Sequence, residues 1–203
     1  VIDLRQESHA IVNNAYPVTS MLLNNWANAG KSYDEVLSDE AALIARLSLQ
    51  SEITLLRYKD VKKGIVPPHS VTLKNPTISS ERDMVESTGA AYVRFTITDH
   101  IRPGREDVDR FINVIQHTDG NAWLHVHCKG GKGRTTTAMA MYDMLRNAQD
   151  VPVEDIIHRQ KVLGPGTDLL ATGGREELRD FKQERKEFLL EFHEYAKENP
   201  VGY

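Results

Sequence analysis

Apolar and polar residues alternate along this chain with two periods, one typical of strands and one typical of helices. Short apolar runs bounded by turn residues predict strands at residues 1–5, 53–58, 71–73, 91–97 and 122–126. Apolar positions at helical spacing predict helices at residues 32–49, 80–89, 135–147 and 175–198. This mixed order predicts an α/β fold in which helices flank a central, mostly parallel sheet.

The sequence also carries signals for where helices begin and end. Ser32 and Glu35 form a capping-box pair that begins a helix, and Gly89 is placed to end another. Pro152 is expected at the first position of a later helix. The residues expected on buried helix faces are Val36, Leu37, Leu43, Ile44, Leu47, Ile156, Ile157 and Val162.

Length and composition limit the class of protein. The chain has 203 residues, of which 40% are hydrophobic and 27% charged, as in ordinary globular proteins. We therefore expect one catalytic domain over residues 1–203, with residues 53–76 contributing a small, partial β-rich appendage. A formal charge of −4 gives no indication of a nucleic acid partner. No apolar run reaches the roughly 18 residues of a membrane span, so no integral membrane association is expected.

The most informative stretch is residues 127–135, whose sequence is His-Cys-Lys-Gly-Gly-Lys-Gly-Arg-Thr. It lies between a predicted strand and a predicted helix, so it is expected to form a loop at a helix N-terminus. Gly130, Gly131 and Gly133 allow the backbone to curl and to turn its N–H groups inward, and the helix adds partial positive charge. Such a loop suits a phosphate group, and the same field stabilises a thiolate at Cys128.

A cysteine followed by an arginine six positions later is weak support when it stands alone. Cysteine is usually a small buried hydrophobic residue, and arginine is common in this chain. The glycines, the preceding histidine, the following hydroxyl, and the flanking strand and helix make the stretch far more specific. It favours phosphoryl chemistry.

At these residues the chain resembles the cysteine-dependent phosphatase superfamily, whose signature is H-C-x5-R-[ST]. More narrowly, it resembles the protein-tyrosine-phosphatase-like inositol polyphosphate phosphatases, the bacterial cysteine phytases. Three further segments carry this narrower resemblance, namely residues 3–9, residues 25–32, and residues 98–100 followed by Pro103. The resemblance implies a fold like that of the cysteine-dependent protein tyrosine phosphatases.

The resemblance also implies roles for the residues of the site. Cys128 would attack phosphorus and form a phosphocysteine intermediate, while Arg134 would hold two equatorial oxygens. Asp99 would protonate the departing oxygen and then activate water. His127 would brace the loop, and the Thr135 hydroxyl would stabilise the departing sulfur. No metal or other cofactor is required for this chemistry. Asp99, His127 and Thr135 also have ordinary structural interpretations, as a turn or helix cap and as packing residues.

Local charge favours an inositol polyphosphate as the substrate, because the loop holds more cations than one phosphomonoester needs. Lys129 and Lys132 flank its glycines, as in phosphatase-and-tensin-type enzymes. The resemblance places further substrate contacts near the start of the last helix, although acidic residues interleave there and a solvated, salt-bridged face is an equal interpretation. The expected substrate-binding residues are Lys129, Gly130, Gly131, Lys132, Gly133, His100, Arg102, Lys182 and Arg185.

The sequence departs from the phytase pattern in some places. Residues 164–174 are glycine-rich and lack lysine, and Arg102 stands where the family has an aromatic residue. The chain also begins within a predicted strand, whereas family members have a segment before this point. We therefore expect that an N-terminal part of the full protein is absent.

Other functions remain open on the sequence alone. The same chemistry serves a protein tyrosine phosphatase, including a bacterial effector acting on host phosphoproteins. A phosphoinositide lipid phosphatase and a non-catalytic phosphate-binding module are further alternatives. The expected protein is soluble, and secretion or delivery into a host cell is compatible with the sequence.

Overall fold

The computed structural model describes residues 1–20, 22–164 and 167–201, so Pro165 and Gly166 of the glycine-rich segment lie outside the described residues. The strands are β1 (Ile2–Arg5), β2 (His9–Val12), β3 (Tyr16–Thr19), β4 (Glu52–Leu56), β5 (Ser70–Lys74), β6 (Ile78–Ser79), β7 (Val93–Ile97) and β8 (Val126–His127). The α-helices are α1 (Tyr33–Ser48), α2 (Tyr58–Lys62), α3 (Glu81–Glu86), α4 (Arg105–Gln116), α5 (Gly133–Asn147), α6 (Val153–Leu163) and α7 (Arg179–Glu198). Short 3₁₀ turns lie at Leu23–Asn25 and Glu176–Leu178. None of the helices in the described ranges is long and apolar enough to cross a membrane.

The chain divides into two compact units, and the first comprises Val1–Gln6, Leu22–Ala29 and Tyr92–Tyr203. Its sheet has the order β7-β1-β8, with both pairs of strands parallel. Helices α4 and α5 pack on this sheet, and α6 and α7 pack on α5 around a shared apolar core, which confirms the predicted α/β class. Core members include Leu4, Phe95, Met141, Ile157 and Leu189.

A buried ionic network supports β1 of the first unit. The Asp3 carboxylate is fully buried and accepts hydrogen bonds from Arg5 Nε at 2.8 Å and from Tyr92 Oη at 2.9 Å. Arg94 Nε lies 3.4 Å from the same carboxylate and donates to the Arg5 carbonyl at 2.7 Å. Burial, followed by the negative charge of Asp3, raises the pKa of Tyr92 above its ordinary value. The network fixes β1 at the position where its carbonyls meet the site described below.

Replacing Asp3 with asparagine is expected to destabilise the protein by about 3–5 kcal/mol, because the two buried guanidinium groups lose their counter-charge. The matched control is Asp168→Asn, which breaks the exposed Lys161–Asp168 pair and is expected to cost less than about 1 kcal/mol. Urea unfolding of both variants gives the comparison. Equal losses in the two variants would show that the buried network contributes no more than a surface ion pair.

The second unit comprises Glu7–Met21 and Gly30–Ala91. It contains two antiparallel sheets, of order β3-β2-β6 and β4-β5, with α1 and α3 packed on β2. The predicted capping box is present, since Ser32 accepts from the Glu35 backbone and the Glu35 side chain accepts from the Ser32 backbone. The β-rich stretch expected at residues 53–76 lies in this unit, and a single domain over the whole chain stays a prediction.

Several local expectations are corrected. Residues 122–125 are outside any strand and Trp123 is 99% exposed, so the strand before the loop is only β8. Tyr58 begins α2 instead of ending a strand, and Pro152 caps α6 from one position before its first turn. Val162 is exposed, and of the expected apolar face of α1 only Val36 is fully buried. Helical spacing predicted which residues share one face of a helix, but it did not predict how deeply each side chain is buried.

Candidate active site

The predicted phosphate loop lies between the carboxyl end of β8 and the first turn of α5. Cys128, a free thiol, comes directly after β8, and α5 begins at Gly133. Gly131 has a φ of 62°, a left-handed conformation that strains residues with a Cβ atom. The loop therefore has the strand, glycine turn and helix N-terminus that anion binding requires.

Arg185 packs against the end of this loop. A Cβ atom built on Gly133 would lie 3.2 Å from Arg185 Nη1, so this glycine admits the guanidinium to the loop. Arg185 is buried on α7, and its Nε has no hydrogen-bond partner among residues 1–20, 22–164 and 167–201. Burial lowers the pKa of Arg185, while the negative charge of Asp99 opposes this shift. The arrangement presents a buried cation beside the loop.

Arg134 is held at the carboxyl ends of two neighbouring strands. Its side chain is almost fully buried, and its Nη1 donates to the Ile97 carbonyl at 3.1 Å and to the Leu4 carbonyl at 3.4 Å. Its Nε lies 3.3 Å from Asp99 Oδ1. The strand ends thus orient the guanidinium and place it against the predicted acid.

Asp99 follows β7 and is held through both its side chain and its backbone. Asn25 Nδ2 donates to Asp99 Oδ2 at 2.7 Å, and Trp26 Nε1 donates to the Asp99 carbonyl at 2.8 Å. The backbone N–H of His100 donates to Asp99 Oδ1 at 3.1 Å. The Asp99 side chain is 18% exposed, so it is constrained but still reaches solvent.

His127 and Thr135, the residues expected to support the loop, lie on either side of it. His127 is the last residue of β8, and burial lowers its pKa, which favours the neutral imidazole at neutral pH. The Thr135 hydroxyl is buried in the first turn of α5 and has no hydrogen-bond partner within the described part of the chain. The roles expected for His127 and Thr135 stay predictions.

The predicted substrate-binding residues divide into two groups. Lys129 Nζ donates to Asn25 Oδ1 at 2.7 Å, and exposed Lys132 caps α5, so both belong to the loop with Gly130, Gly131 and Gly133. By contrast, Arg102 donates to the Pro103 carbonyl and lies over the Phe188 ring, and Lys182 donates to the Gly173 carbonyl. Arg102 and Lys182 therefore contact groups outside the phosphate loop.

The site also contains three residues that were not among the predicted site residues, namely Arg175, Asn25 and Trp26. Arg175 Nη1 donates to Asn24 Oδ1 at 2.8 Å, and its Nη2 lies 3.3 Å from His100 Nε2. Burial lowers the pKa of His100. The negative charge of Asp99 opposes this shift, whereas the positive charge of Arg175 adds to it. Asn25 and Trp26 were noticed only as part of a matching segment, which was the one signal that marked them.

Comparisons with known proteins agree with this geometry. The profile of the PTP-like phytase family, described by the words inositol hexakisphosphate, matches residues 2–146. The chain is similar to a solved PTP-like myo-inositol phosphatase from Mitsuokella multacida in complex with myo-inositol-(1,3,4,5)-tetrakisphosphate. That similarity has a TM-score of 0.88 and 36% identity over 98% of this chain and 33% of that one. A solved PTP-like phytase from Bdellovibrio bacteriovorus gives a TM-score of 0.82 and 37% identity, over 99% of this chain and 71% of that chain.

The chain is also similar to a curated effector protein, hopD2 of Pseudomonas syringae pv. tomato. The two are 42% identical over 204 residues, which is 100% of this chain and 43% of the effector. The chain thus spans less than half the length of this relative and a third of the Mitsuokella protein.

Proposed function

The chain belongs to the protein-tyrosine-phosphatase-like phytase family, and from this membership we propose that it hydrolyses phosphomonoesters of myo-inositol polyphosphates through a phosphocysteine intermediate. The observation that carries the proposal is the approach of Arg134 Nε to Asp99 Oδ1, 3.3 Å apart, beside the loop that Cys128 begins. The acid follows β7, the nucleophile follows β8, and the phosphate clamp lies in the first turn of α5.

The first step transfers the phosphoryl group to sulfur. The Cys128 thiolate attacks phosphorus, the S–P bond forms, and the bond from phosphorus to the inositol oxygen breaks. Asp99 gives its proton to that departing oxygen, and Arg134 with the loop amides holds the three equatorial oxygens as charge spreads over them. The products of this step are an inositol with one phosphate fewer and phosphocysteine.

The second step returns the enzyme to its starting state. Water attacks phosphorus, the S–P bond breaks, and Asp99, now a carboxylate, takes the proton from the water. The Thr135 hydroxyl is close in sequence to the loop and would donate to the sulfur as its negative charge returns. Inorganic phosphate leaves, and the thiolate is restored.

Substrate binding changes the partner of Arg134. Without substrate, its Nε pairs with Asp99 Oδ1, and a phosphate bound in the loop would supply oxygens to the same guanidinium. The carboxyl group of Asp99 is then released from Arg134 and can face the ester oxygen. The two groups act on opposite parts of the substrate, Arg134 on the phosphoryl oxygens and Asp99 on the leaving oxygen.

The charge around the loop supports a polyphosphorylated substrate. Four cations lie at the loop, namely Lys129, Lys132, Arg134 and the buried Arg185. Beside Asp99, Arg175 contacts His100. One phosphomonoester needs few of these donors, whereas an inositol ring with several phosphates engages them together. The Mitsuokella relative was solved with an inositol tetrakisphosphate, which is an inositol ring with several phosphates.

A second candidate function is that of a protein tyrosine phosphatase acting as an effector on host phosphoproteins. The similarity to the effector protein hopD2 over the whole of this chain favours it. The same relationship supports delivery of this protein into a host cell. The chemistry at Cys128, Arg134 and Asp99 is shared by both candidates, so only the substrate separates them.

Phosphate release from phytate and from a phosphotyrosyl peptide tests the proposal, with the Cys128→Ser variant as the blank. We expect release from phytate at a kcat/KM well above that for the peptide, because the peptide uses only one of the cationic contacts. Release from the peptide alone would assign the protein to the second candidate. Release from neither substrate would contradict both candidates and favour a binding module.

A further inference from the structure

We propose that Asn25 is a positioning residue for the acid of this reaction. Its amide joins Asp99 to Lys129 and so fixes the acid relative to the phosphate loop. This inference rests on the proposed function, in which Asp99 protonates the leaving oxygen. Neither the signature of the loop nor the charge pattern of the chain points to Asn25.

Both ends of the Asn25 amide are used. Its Nδ2 donates to Asp99 Oδ2 at 2.7 Å, and its Oδ1 accepts from Lys129 Nζ at 2.7 Å. Turning the amide over would place its oxygen against a carboxyl group and its NH₂ against an ammonium, and both contacts would be unfavourable. The two charged neighbours therefore select one orientation of the amide, and the amide in turn fixes the distance between them.

The backbone of this segment suits the residues that occupy it. Asn24 and Asn25 have φ angles of 57° and 60°, in the left-handed region, which asparagine adopts more readily than most residues with a Cβ atom. Contacts with the surroundings support the segment at Asp99. Trp26 supplies part of that support, since its indole N–H donates to the Asp99 carbonyl and its ring packs edge-on against Phe181 at 5.7 Å.

The contact also assigns the two oxygens of Asp99. Asn25 Nδ2 donates to Asp99 Oδ2, whereas Asp99 Oδ1 accepts from the His100 backbone N–H, so each oxygen has its own donor. Oδ1 is the oxygen that faces Arg134 Nε, 3.3 Å away, and so faces the phosphate when a substrate takes that guanidinium. Without Asn25, Asp99 Oδ2 would lose its amide donor, and the carboxyl group would lose its fixed direction.

The experiment compares Asn25→Gly with the matched control Asn24→Gly. Glycine tolerates the left-handed conformation at both positions, so each variant removes one side chain without adding backbone strain. Two substrates are used, phytate, with a poor alkoxide leaving group, and p-nitrophenyl phosphate, whose activated leaving group needs little protonation. The readout is the ratio of the two kcat values, which a general loss of stability does not change.

We expect Asn25→Gly to slow phytate turnover by about 10–100-fold, as misplacement of a catalytic group does, with little effect on p-nitrophenyl phosphate. Asp99→Asn should show the same selectivity with a larger loss, about 10²–10⁴-fold. Asn24→Gly should keep the wild-type ratio, because Asn24 contacts Arg175 and not Asp99. Adding Asn25→Gly to Asp99→Asn should cause little further loss, because Asn25 acts through the carboxyl group.

Different outcomes overturn the inference and the proposed function. Equal slowing of both substrates by Asn25→Gly, while Asp99→Asn remains selective, would overturn the positioning role and leave the function intact. An unselective Asp99→Asn would remove Asp99 as the acid, whereas failure of the parent protein to release phosphate from phytate would overturn the function itself. If the glycine variant does not fold, Asn25→Asp keeps the Lys129 contact and replaces the donor to Asp99. Wild-type selectivity in that variant would contradict the inference.

Discussion

Replacing Cys128 with serine is expected to abolish phosphate release from inositol polyphosphates, with a loss of roughly 10⁴–10⁶-fold, the scale on which removal of a nucleophile acts. The serine hydroxyl is similar in size but is not ionised near neutral pH, whereas the attacking species in this mechanism is a thiolate. The loop amides, Arg134 and Arg185 remain in place around the substituted residue. The variant should therefore still bind the substrate.

Two measurements separate loss of chemistry from loss of structure in Cys128→Ser. Thermal unfolding should give a midpoint close to that of the parent, and calorimetric titration with inositol hexakisphosphate should give a similar Kd. Acid quenching of the parent during turnover should trap phosphate on the protein, and the same treatment of the variant should trap none. Since the chain has one cysteine, any trapped thiophosphate in the parent identifies Cys128. A variant within tenfold of the parent rate, against the scale given above, would show that another group attacks phosphorus.

The phosphate loop was predictable because its parts are contiguous. A strand, three glycines and a helix N-terminus within residues 126–135 determine the local conformation without help from the rest of the chain. The α/β order and the capping box of α1 were predictable for the same reason, since each depends on residues a few positions apart. Local sequence signals therefore predicted the loop and the general architecture, and they indicated Cys128 and Arg134 as candidates for the nucleophile and the phosphate clamp.

The contacts that complete the site join residues far apart in sequence. Asn25 meets Asp99 across 74 positions, and Arg175 meets Asn24 across 151. No local period or motif encodes such pairs, because they follow from the folded arrangement of strand ends and helices in the first unit. Trp123 is a second example of what local sequence does not encode. The apolar run around it predicted burial, but the residue is 99% exposed.

Burial also separates cations that look alike in sequence. Arg185 and Lys182 lie one turn apart in α7, yet Arg185 is buried against Gly133, whereas Lys182 is only partly buried and donates to the Gly173 carbonyl. The family resemblance alone predicted both as substrate-binding residues. A desolvated cation interacts more strongly with a phosphate than an exposed one, because water screens it less. Of the two, Arg185 is therefore the stronger candidate for substrate binding.

Replacing Arg134 with lysine is expected to slow hydrolysis by about 10³–10⁵-fold, as loss of an arginine that stabilises phosphoryl transfer does elsewhere. Lysine keeps the charge but lacks the planar fork, so it cannot bind two equatorial oxygens at once while resting on the Leu4 and Ile97 carbonyls. Arg82→Lys is the matched control, since Arg82 forms an exposed pair with Glu86 and should retain the parent kcat/KM.

The choice of substrate makes the Arg134 prediction distinct from that for Asp99. In the proposed mechanism Arg134 acts on the phosphoryl oxygens, which are the same in phytate and in p-nitrophenyl phosphate, so Arg134→Lys should slow both substrates to a similar extent. In the same mechanism Asp99 acts on the leaving oxygen, so its loss should slow mainly the hydrolysis of phytate. Selective slowing of phytate by Arg134→Lys would mean that this guanidinium works chiefly by holding Asp99, through the 3.3 Å contact between them, and not by binding phosphate.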